Sequence, residues 1–256
     1  MAESDALPDW QVDFDRWPYP PLVAHRGAGL LAPENTLAAM RVGAAHGYRM
    51  FEFDVKLSAD GKPILLHDAT LDRTTNGRGF AGALTLAEIT QLDAGSWHGP
   101  AWAGEPVPTF ANVAAWLRAN GLMANVEIKP VPGREAETGA AVAIAAAHAW
   151  RGAAVPPLLS SFSEDALAAA QRAVPRLPRA LLVDRVPEDW PARLRRLGCA
   201  ALDAKHLALD AELIARARGE GVRVLTYTPN EPARVDALRA WGVDAVITDA
   251  VDLIRP

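Results

Sequence analysis

Four apolar, strand-like runs in the first half of the chain end in charged residues that can do chemistry. The endings are His25-Arg26, Glu52 with Asp54, His67-Asp68, and Glu127 with Lys129. Core packing alone favours Val or Leu at such positions, because an unpaired buried charge costs free energy. The carboxyl ends of parallel strands meet on one side of a sheet, where barrel proteins hold their ligands. The repeated pattern therefore predicts one site assembled from several strands.

Three of these residues are carboxylates that a metal ion can bring together. Glu52 and Asp54 are two positions apart on one strand, so both side chains point to the same face, and Glu127 ends another strand. Carboxylates turned inward without compensation are costly, and a divalent cation is the simplest compensation. An all-oxygen ligand set selects Mg²⁺ or Ca²⁺ rather than Zn²⁺. The alternative is that Glu52 and Glu127 only form ion pairs with Arg26 and Lys129.

Two histidines, His25 and His67, come from separate segments that converge on the same side of the predicted sheet. Imidazole titrates close to neutral pH, so this pair is suited to taking up and releasing protons during a reaction. The histidines without such neighbours are expected to be structural, and they include His46, His98 and His148. Proton-transfer groups, carboxylates and cations thus fall at one predicted site.

Length and composition limit the class of protein. A chain of 256 residues, half of them hydrophobic, can bury one large core, so we expect a single domain over 1–256. The net charge of −5 argues against a nucleic acid as partner. No apolar run approaches the ~20 residues of a membrane span, and no basic segment leads into an apolar one near the first residues. We therefore expect no stable membrane insertion and a cytoplasmic location. The single cysteine, Cys199, is expected to be a buried thiol.

Strand and helix patterns alternate along most of the chain, which predicts an α/β fold of the TIM-type (β/α)8 barrel class. Strand patterns span 22–25, 50–55, 123–128, 158–161, 179–183, 200–204, 222–227 and 245–248. Helical patterns span 35–46, 110–120, 134–150, 164–174, 190–197, 211–220 and 231–241, and a short segment over 251–254 is the expected last helix. Asn35 is the expected N-cap of the first helix.

A β-hairpin and a small insertion are expected after the second strand. Only residues 56–62 separate Asp54 from the next apolar run, whereas a parallel crossover needs a dozen or more residues. The two strands should therefore be antiparallel, and the return arm should carry His67 back towards Asp54. Residues from about 69 to 108 are rich in Gly and Thr and contain one capping-box pattern, which indicates an insertion beside the site. A proline-rich arm over 1–20 is expected to pack its aromatic residues over one end of the barrel.

The motifs of this chain resemble those of the glycerophosphodiester phosphodiesterase family. The matching stretches are His25-Arg26-Gly27, Pro33-Glu34-Asn35-Thr36, Glu52-Phe53-Asp54-Val55, Asp60-Gly61, His67-Asp68, Leu71-Asp72-Arg73-Thr74-Thr75-Asn76-Gly77 and Glu127-Ile128-Lys129. They keep the family's order, extend over nearly the whole chain and are densest from 23 to 79. The family also carries an insertion at the place predicted here.

The resemblance implies roles for the residues of these motifs. It implies a divalent cation, Mg²⁺ or Ca²⁺, at Glu52, Asp54 and Glu127. Phosphodiester cleavage takes a proton from the attacking oxygen and gives one to the leaving alkoxide. The resemblance assigns these transfers to His25 and His67 without deciding which is the acid and which the base.

Cations and aromatic residues complete the predicted substrate site. Arg26 offers a fixed fork of donors and Lys129 a point charge, so both are expected to bind phosphate oxygens. Phe162 follows a strand and either borders the substrate or packs in the core. Tyr227 is a further candidate for contact with the substrate, although the family more often has Trp there.

Two later strand ends carry weaker candidates. Lys205 or His206, close to Asp203, can add positive potential at the mouth of the barrel, but a salt bridge at its rim is the preferred interpretation. Thr248-Asp249 matches the family's closing Thr-Asp and is expected to support the loops rather than react.

The function that the resemblance implies is metal-dependent hydrolysis of a small-molecule glycerophosphodiester to an alcohol and sn-glycerol 3-phosphate. The attacking oxygen belongs to water or, by way of a cyclic phosphate, to the glycerol 2-hydroxyl. The nearest alternative is a related phosphodiesterase of the lysophospholipase D or phospholipase type, which the absence of a recognisable lipid-facing helix disfavours. A non-catalytic phosphate-ligand binding protein is a further alternative, but it needs no paired histidines. No pattern specifies the head group or the oligomeric state.

Overall fold

The computed structural model describes residue 10 and residues 17–256. Its strands are β1 (Leu22–Ala24), β2 (Met50–Leu57), β3 (Pro63–Leu65), β4 (Met123–Ile128), β5 (Leu158–Ser161), β6 (Arg179–Val183), β7 (Ala201–Lys205), β8 (Arg223–Tyr227) and β9 (Ala245–Thr248). Its α-helices are α1 (Leu37–Ala45), α2 (Leu86–Ile89), α3 (Phe110–Ala119), α4 (Glu135–Ala149), α5 (Glu164–Ala173), α6 (Trp190–Leu197), α7 (Ala211–Gly219) and α8 (Pro232–Trp241). Short 3-10 helices lie at Ala81–Ala83, Pro100–Trp102 and His206–Ala208.

Eight of the strands close into a parallel barrel, because β1 pairs with both β2 and β9. The order around the barrel is β1, β9, β8, β7, β6, β5, β4 and β2. Helices join consecutive barrel strands, as parallel pairing requires. The predicted TIM-type (β/α)8 barrel is confirmed, and each of its strands begins and ends within two residues of the predicted bounds.

The strand β3 is the return arm of the predicted hairpin. It pairs antiparallel with β2, with Leu65 opposite Val55. The amide of Leu66 then donates to the carbonyl of Asp54 at 3.1 Å, so the chain reaches His67 close to the end of β2. The short connection decides this geometry, because too few residues are present for a crossover.

The insertion that follows the hairpin contains little regular structure. Its helix α2 begins with a capping box, in which Thr85 and Glu88 each accept a hydrogen bond from the other's backbone amide. A small hydrophobic cluster joins it to the hairpin, made of Ile64, Leu66, Leu71, Ala81, Ile89, Ala94 and Val107. The insertion therefore rests on the hairpin arm and flanks the mouth of the barrel.

The helices pack on the outside of the barrel over one large apolar layer. The helices α4 and α5 approach each other closely, since a Cβ on Gly139 would lie 2.1 Å from the carbonyl oxygen of Ala166. The alanine-rich sequence of α4 permits this short separation. No helix in the described part of the chain is long and apolar enough to cross a membrane.

Aromatic residues cover the amino-terminal end of the barrel. The hydroxyl of Tyr19 donates to the carbonyl of Pro156 at 3.0 Å, and the indole of Trp10 donates to the carbonyl of Ala153 at 3.1 Å. Trp17 packs edge-on against Tyr19. These contacts agree with the packing predicted for the arm, whose other residues before residue 17 lie outside the described residues.

Two local predictions are wrong. Residues 251–254 form turns rather than a helix: the amides of Leu253 and Ile254 both donate to the carbonyl of Ala250, and one bond of α-helical spacing does not offset the cost of fixing a first helical turn. The N-cap of α1 is Thr36, whose side chain accepts from the amide of Ala39. Asn35 instead has a positive φ of 59° and directs its side chain into the barrel.

Candidate active site

A cavity of about 220 Å³ opens at the carboxyl ends of the barrel strands. Most of the predicted site residues line it, namely His25, Arg26, Glu52, His67, Glu127, Lys129, Phe162 and Tyr227. Asp54 is buried behind this wall. A larger groove of about 600 Å³ lies on the outer surface between α3 and α4, and none of the predicted residues lines it. The chemistry-bearing residues are therefore gathered in the smaller, inner cavity.

A tight turn after β1 presents the first two of these side chains. Arg26 has a φ of 49° and Gly27 a φ of 102°. A Cβ on Gly27 would lie 2.7 Å from the Cβ of Ala39, so the turn can only pack against α1 with glycine there. The amide of Arg26 points inward and donates to Oε2 of Glu52 at 3.1 Å.

Three carboxylates form a cluster in which one oxygen atom of each lies within 4.8 Å of the others. Glu52 and Asp54 lie on β2, and Asp54 is opposite Glu127 on the neighbouring β4. Oε1 of Glu52 and Oδ1 of Asp54 are buried without a hydrogen-bond partner in the described structure. Orphaned carboxylate oxygens at this separation fit an oxygen-coordinated divalent cation.

The electrostatics of this cluster also favour a bound cation. Burial raises the pKa of Glu52 well above its ordinary range, and burial beside Asp54 raises the pKa of Glu127 to about 7. Burial opposes the ionisation of Asp54 as well, but Lys129 and Arg26 outweigh it and hold the pKa of Asp54 well below its usual range. A cation bound among the three would favour the ionised form of all of them.

His25 is held by an aspartate from the far end of the chain. Its Nδ1 lies 2.5 Å from Oδ1 of Asp249, and its Nε2 lies 3.7 Å from Oε2 of Glu52. Asn230 holds Asp249 in turn, because its Nδ2 donates to Oδ2 of Asp249 at 3.2 Å and its Oδ1 accepts from the Asp249 amide at 2.9 Å. Asp249 therefore orients His25 in addition to supporting the loops as predicted. The Thr-Asp pair at the end of β9 was the available signal.

His67 is held in the same way, at the end of a chain of charged contacts. Its Nδ1 lies 2.6 Å from Oδ1 of Asp68, and Asp68 accepts from Nε of Arg73 at 2.6 Å. Arg73 contacts Glu34 at 2.7 Å, and Glu34 contacts Arg26 at 2.9 Å. Burial lowers the pKa of His67. The insertion thus connects Arg26 and His67 through the side chain of Arg73.

A buried lysine that sequence reasoning overlooked supports the backbone at His67. Nζ of Lys56 donates to the carbonyl of His67 at 3.0 Å and also to the carbonyl of Asp68. Burial lowers the pKa of Lys56 to about 8. Its position on β2, two residues after Asp54 and in the same alternation as Glu52, was the signal in the sequence.

Asn35 positions one of the clustered carboxylates. Its Nδ2 donates to Oδ2 of Asp54 at 2.8 Å, and its Oδ1 accepts from the Asp54 amide at 3.0 Å. Both contacts need the left-handed backbone at this residue, a conformation that Asn tolerates better than most side chains. The residue therefore belongs to the site, rather than to the cap of α1.

The cations and aromatic side chains lie together at the mouth. Nζ of Lys129 is 2.5 Å from Oε1 of Glu127 and 5.3 Å from the centroid of the Phe162 ring. Phe162 is 42 % exposed and meets the ring of Tyr227 edge-on, with centroids 5.8 Å apart, so it borders the opening and is not part of the core. The hydroxyl of Tyr227 donates to the carbonyl of Val183 at 3.0 Å.

Three fully buried polar residues, here called the polar trio, also line the cavity: Asn125, Ser160 and Asp203. Both polar atoms of Asn125, Oγ of Ser160 and both oxygens of Asp203 have no hydrogen-bond partner in the described structure. Burial raises the pKa of Asp203 well above its ordinary range. The predicted rim salt bridge is wrong for Asp203, which lies inside the barrel. Lys205 and His206 do not line the cavity; Lys205 is exposed and His206 contacts Arg234.

A parallel barrel with clustered carboxylates, two aspartate-held histidines and two cations at its carboxyl end defines an enzyme with an acid–base and anion-binding site. The sequence pattern of the Glycerophosphoryl diester phosphodiesterase family matches residues 25–253. The chain belongs to this family, as its motifs predicted.

Known proteins similar to this chain carry the same designation. The glycerophosphodiester phosphodiesterase of Caldanaerobacter subterraneus is 32% identical over 243 residues, which cover 91% of this chain and 97% of that protein. The glycerophosphodiester phosphodiesterase of Bacillus subtilis is 33% identical over 253 residues, covering 91% and 84%. A phosphodiesterase of Oleispira antarctica, solved in complex with the product sn-glycerol-3-phosphate, has a TM-score of 0.87 and 36% identity, with 92% and 95% covered.

Proposed function

We propose that this protein hydrolyses glycerophosphodiesters to an alcohol and sn-glycerol 3-phosphate with the help of a divalent cation. One observation carries the proposal: two histidines, each held through Nδ1 by an aspartate, line one cavity with two cations beside three clustered carboxylates. The names of its relatives, and the product bound by the Oleispira antarctica phosphodiesterase, support the choice of substrate.

The carboxylate cluster is the proposed site of the cation, Mg²⁺ or Ca²⁺. Glu52, Asp54 and Glu127 would hold it, which is consistent with the orphaned oxygens of Glu52 and Asp54 and with the raised pKa values of both glutamates. When bound, the ion supplies positive charge against the negative charge that builds on the phosphoryl oxygens.

The two histidines divide the proton transfers. Contact with Asp249 and Asp68 keeps the proton of each neutral ring on Nδ1 and leaves Nε2 for the substrate. One histidine takes the proton from the attacking oxygen as its bond to phosphorus forms. The other starts protonated on both ring nitrogens and gives its Nε2 proton to the alcohol oxygen as the bond between that oxygen and phosphorus breaks. Either His25 or His67 can act as the general base, with the other as the general acid.

Arg26 and Lys129 are proposed to bind the non-bridging phosphate oxygens. Both extend into the cavity, where they now contact carboxylates, and a phosphate can take over part of these contacts. Phe162 and Tyr227 are proposed to border the substrate at the opening, where their rings meet.

Release of glycerol 3-phosphate from glycerophosphocholine tests the reaction. We expect release that EDTA abolishes and that Mg²⁺ or Ca²⁺ restores. Release unaffected by prolonged chelation would refute the role of the carboxylate cluster. No release from any glycerophosphodiester, with the cation bound, would refute the proposed substrate.

Two alanine variants test the histidines. His25→Ala and His67→Ala should each lower kcat by at least about 100-fold, because general acid–base catalysis contributes that much or more. Cation binding, followed by calorimetry, should be retained. His148→Ala, which changes a histidine outside the cavity, is the matched control and should keep wild-type activity. Substantial activity in either cavity variant would contradict the assignment.

We also infer that the chain acts in the cytoplasm as one domain over 1–256. Its composition and the extent of the family match support this. Fractionation of the native cells tests the location, and limited proteolysis tests the single domain, which should yield one resistant core.

A further inference from the structure

The two histidines of the cavity are attached to the barrel in different ways. His25 directly follows β1, whereas His67 follows the antiparallel arm β3, which is not a strand of the closed barrel. The backbone at His67 is fixed by Lys56, whose Nζ donates to the carbonyl of His67 at 3.0 Å. The ring is held separately, since its Nδ1 lies 2.6 Å from Oδ1 of Asp68. The position of the His67 ring therefore depends on whatever fixes the Asp68 carboxylate.

Arg73 contacts both oxygens of that carboxylate. Its Nε donates to Oδ2 of Asp68 at 2.6 Å, and its Nη2 donates to Oδ1 at 3.1 Å. Two N–H groups of one guanidinium fix the plane of a carboxylate as well as its place. The same contacts hold the pKa of Asp68 well below its usual range, so Asp68 stays ionised and can accept from the imidazole.

The guanidinium of Arg73 also contacts a second carboxylate, on the loop after β1. Its Nη1 donates to Oε2 of Glu34 at 2.7 Å, and its Nη2 donates to Oε1 at 2.9 Å. Nη1 of Arg26 reaches the same Oε1 at 2.9 Å. Arg73 thus joins the segment that carries His67 to the loop that begins with His25 and Arg26.

A tight turn of the insertion presents Arg73. The amide and the hydroxyl of Thr75 both donate to the carbonyl of Leu71, at 3.1 and 2.7 Å, and the amide of Leu71 donates to the carbonyl of Gly79 at 2.9 Å. Leu71 is itself buried in the hydrophobic cluster of the insertion. The Arg73 side chain is 44 % exposed, so replacing it leaves no cavity in a core.

We propose that Arg73 is a positioning residue that fixes the separation of the two histidines by holding Asp68 and Glu34 with one guanidinium, an arrangement here called the Arg73 clamp. This rests on the proposed function, because the separation matters for turnover only if both rings transfer protons to one substrate. Proton transfer needs hydrogen-bond reach, so a displaced ring lowers the rate steeply. Product binding depends instead on Arg26 and Lys129, which extend into the cavity without contacting Asp68.

The first test compares turnover with product binding. With the cation at saturation, Arg73→Ala should lower kcat for glycerophosphocholine by about 10- to 100-fold, the range for hydrogen bonds to charged groups. Its affinity for glycerol 3-phosphate in calorimetry should stay within about threefold of the wild type. Arg73→Lys keeps the charge but not the fork of donors, so its kcat should be intermediate. It also answers the question if the alanine variant does not fold.

Arg78→Ala is the matched control. Arg78 lies in the same insertion, is 87 % exposed and reaches only 3.6 Å from Asp72, outside the clamp. This variant should keep the wild-type kcat and product affinity.

Chemical rescue tests whether a guanidinium is needed at this place. Because Arg73 is partly exposed, its removal leaves a space open to solvent. Methylguanidinium should restore part of the kcat of Arg73→Ala, whereas methylammonium at the same ionic strength should not. Unchanged kcat in Arg73→Ala, an equal loss of kcat and of product affinity, or a loss of kcat that methylguanidinium leaves unchanged would overturn the proposal.

A spectroscopic measurement separates the Arg73 clamp from the proposed function. A ring N–H that is hydrogen-bonded to a carboxylate gives a far-downfield resonance in proton NMR, and His67→Ala identifies the one from His67. It should be lost in Arg73→Ala, while that of His25, held by Asp249, remains. This selective loss in a protein that releases no glycerol 3-phosphate would refute the reaction and support the clamp. A resonance retained in Arg73→Ala would overturn the clamp, whatever the turnover.

Discussion

Replacing Glu127 by Gln is expected to stabilise the metal-free protein and to remove its response to divalent cations. Burial beside Asp54 raises the pKa of Glu127 from 4.5 to about 7. The difference between these values corresponds to about 3 kcal/mol, which is the cost to folding of ionising this carboxyl group above pH 7. Glutamine has nearly the same shape and does not ionise, so the variant avoids this cost.

The stability difference between Glu127→Gln and the wild type depends on pH, and the direction in which the pKa of Glu127 is shifted determines how. Folded Glu127 binds its proton more tightly than the unfolded chain does. The stability that this tighter proton binding contributes is therefore fully present below about pH 4.5 and is lost as the pH rises through 7. In EDTA, we expect Glu127→Gln to exceed the wild type in unfolding free energy by about 1 kcal/mol at pH 5 and by about 3 kcal/mol at pH 8.

Urea unfolding in EDTA at these two pH values measures the difference. Addition of Mg²⁺ or Ca²⁺ should then raise the midpoint of the wild type only, because the variant has lost one of three carboxylate ligands. Glu212→Gln, on the exposed side of α7, is the matched control and should change neither quantity. A variant less stable than the wild type at pH 8 in EDTA would refute the reasoning and would show that the contact with Lys129 outweighs the cost of burial.

Three further predictions follow from the same structure. Asp249→Asn should lower kcat by about 100-fold, because Asp249 orients His25, and it should leave cation binding unchanged in calorimetry. An equal loss of kcat and of cation affinity would contradict this role. Gly29→Ala should cost at least about 2 kcal/mol in urea unfolding, because its φ is 55° and a Cβ would lie 2.0 Å from the carbonyl oxygen of Asp249; unchanged stability would be inconsistent with that turn. Cys199 is partly exposed, but partial burial raises the pKa of its thiol to about 12, so a disulfide reagent at pH 8 should label the native protein more slowly than the unfolded chain; equal labelling rates would contradict the raised pKa.

The cost of the carboxylate cluster illustrates how function opposes stability here. Glu52 and Glu127 are buried with raised pKa values, and the polar trio adds buried atoms without hydrogen bonds. Apolar residues at these positions would fold more favourably. Ligands that bind the native state compensate for such costs by mass action. We therefore expect the native protein to be most stable with the cation and the product both bound.

Local patterns in the sequence determined most of the architecture. Apolar runs and helical periodicity located the barrel strands and all the predicted helices except the one over 251–254 to within two residues, because burial imposes those periods on each segment separately. The antiparallel hairpin followed from the length of the connection alone, since the segment after β2 is too short for a parallel crossover. The charged strand endings predicted six of the residues that line the cavity, because parallel strands bring their carboxyl ends together.

Only the tertiary structure decided how these side chains are held. His25 and Asp249 are 224 positions apart, and their contact exists because β1 and β9 are neighbours in the closed barrel. Asn35 was predicted to be a helix cap because an Asn just before a helical segment is a local pattern. Its bond to Asp54 instead depends on the packing of a loop against β2. The polar trio comes from β4, β5 and β7, and no single segment of the sequence shows that these three residues line one cavity. The sequence by itself determined which residues end the strands. Which of these residues face each other depends on strand register and burial, and the closure of the barrel decided both.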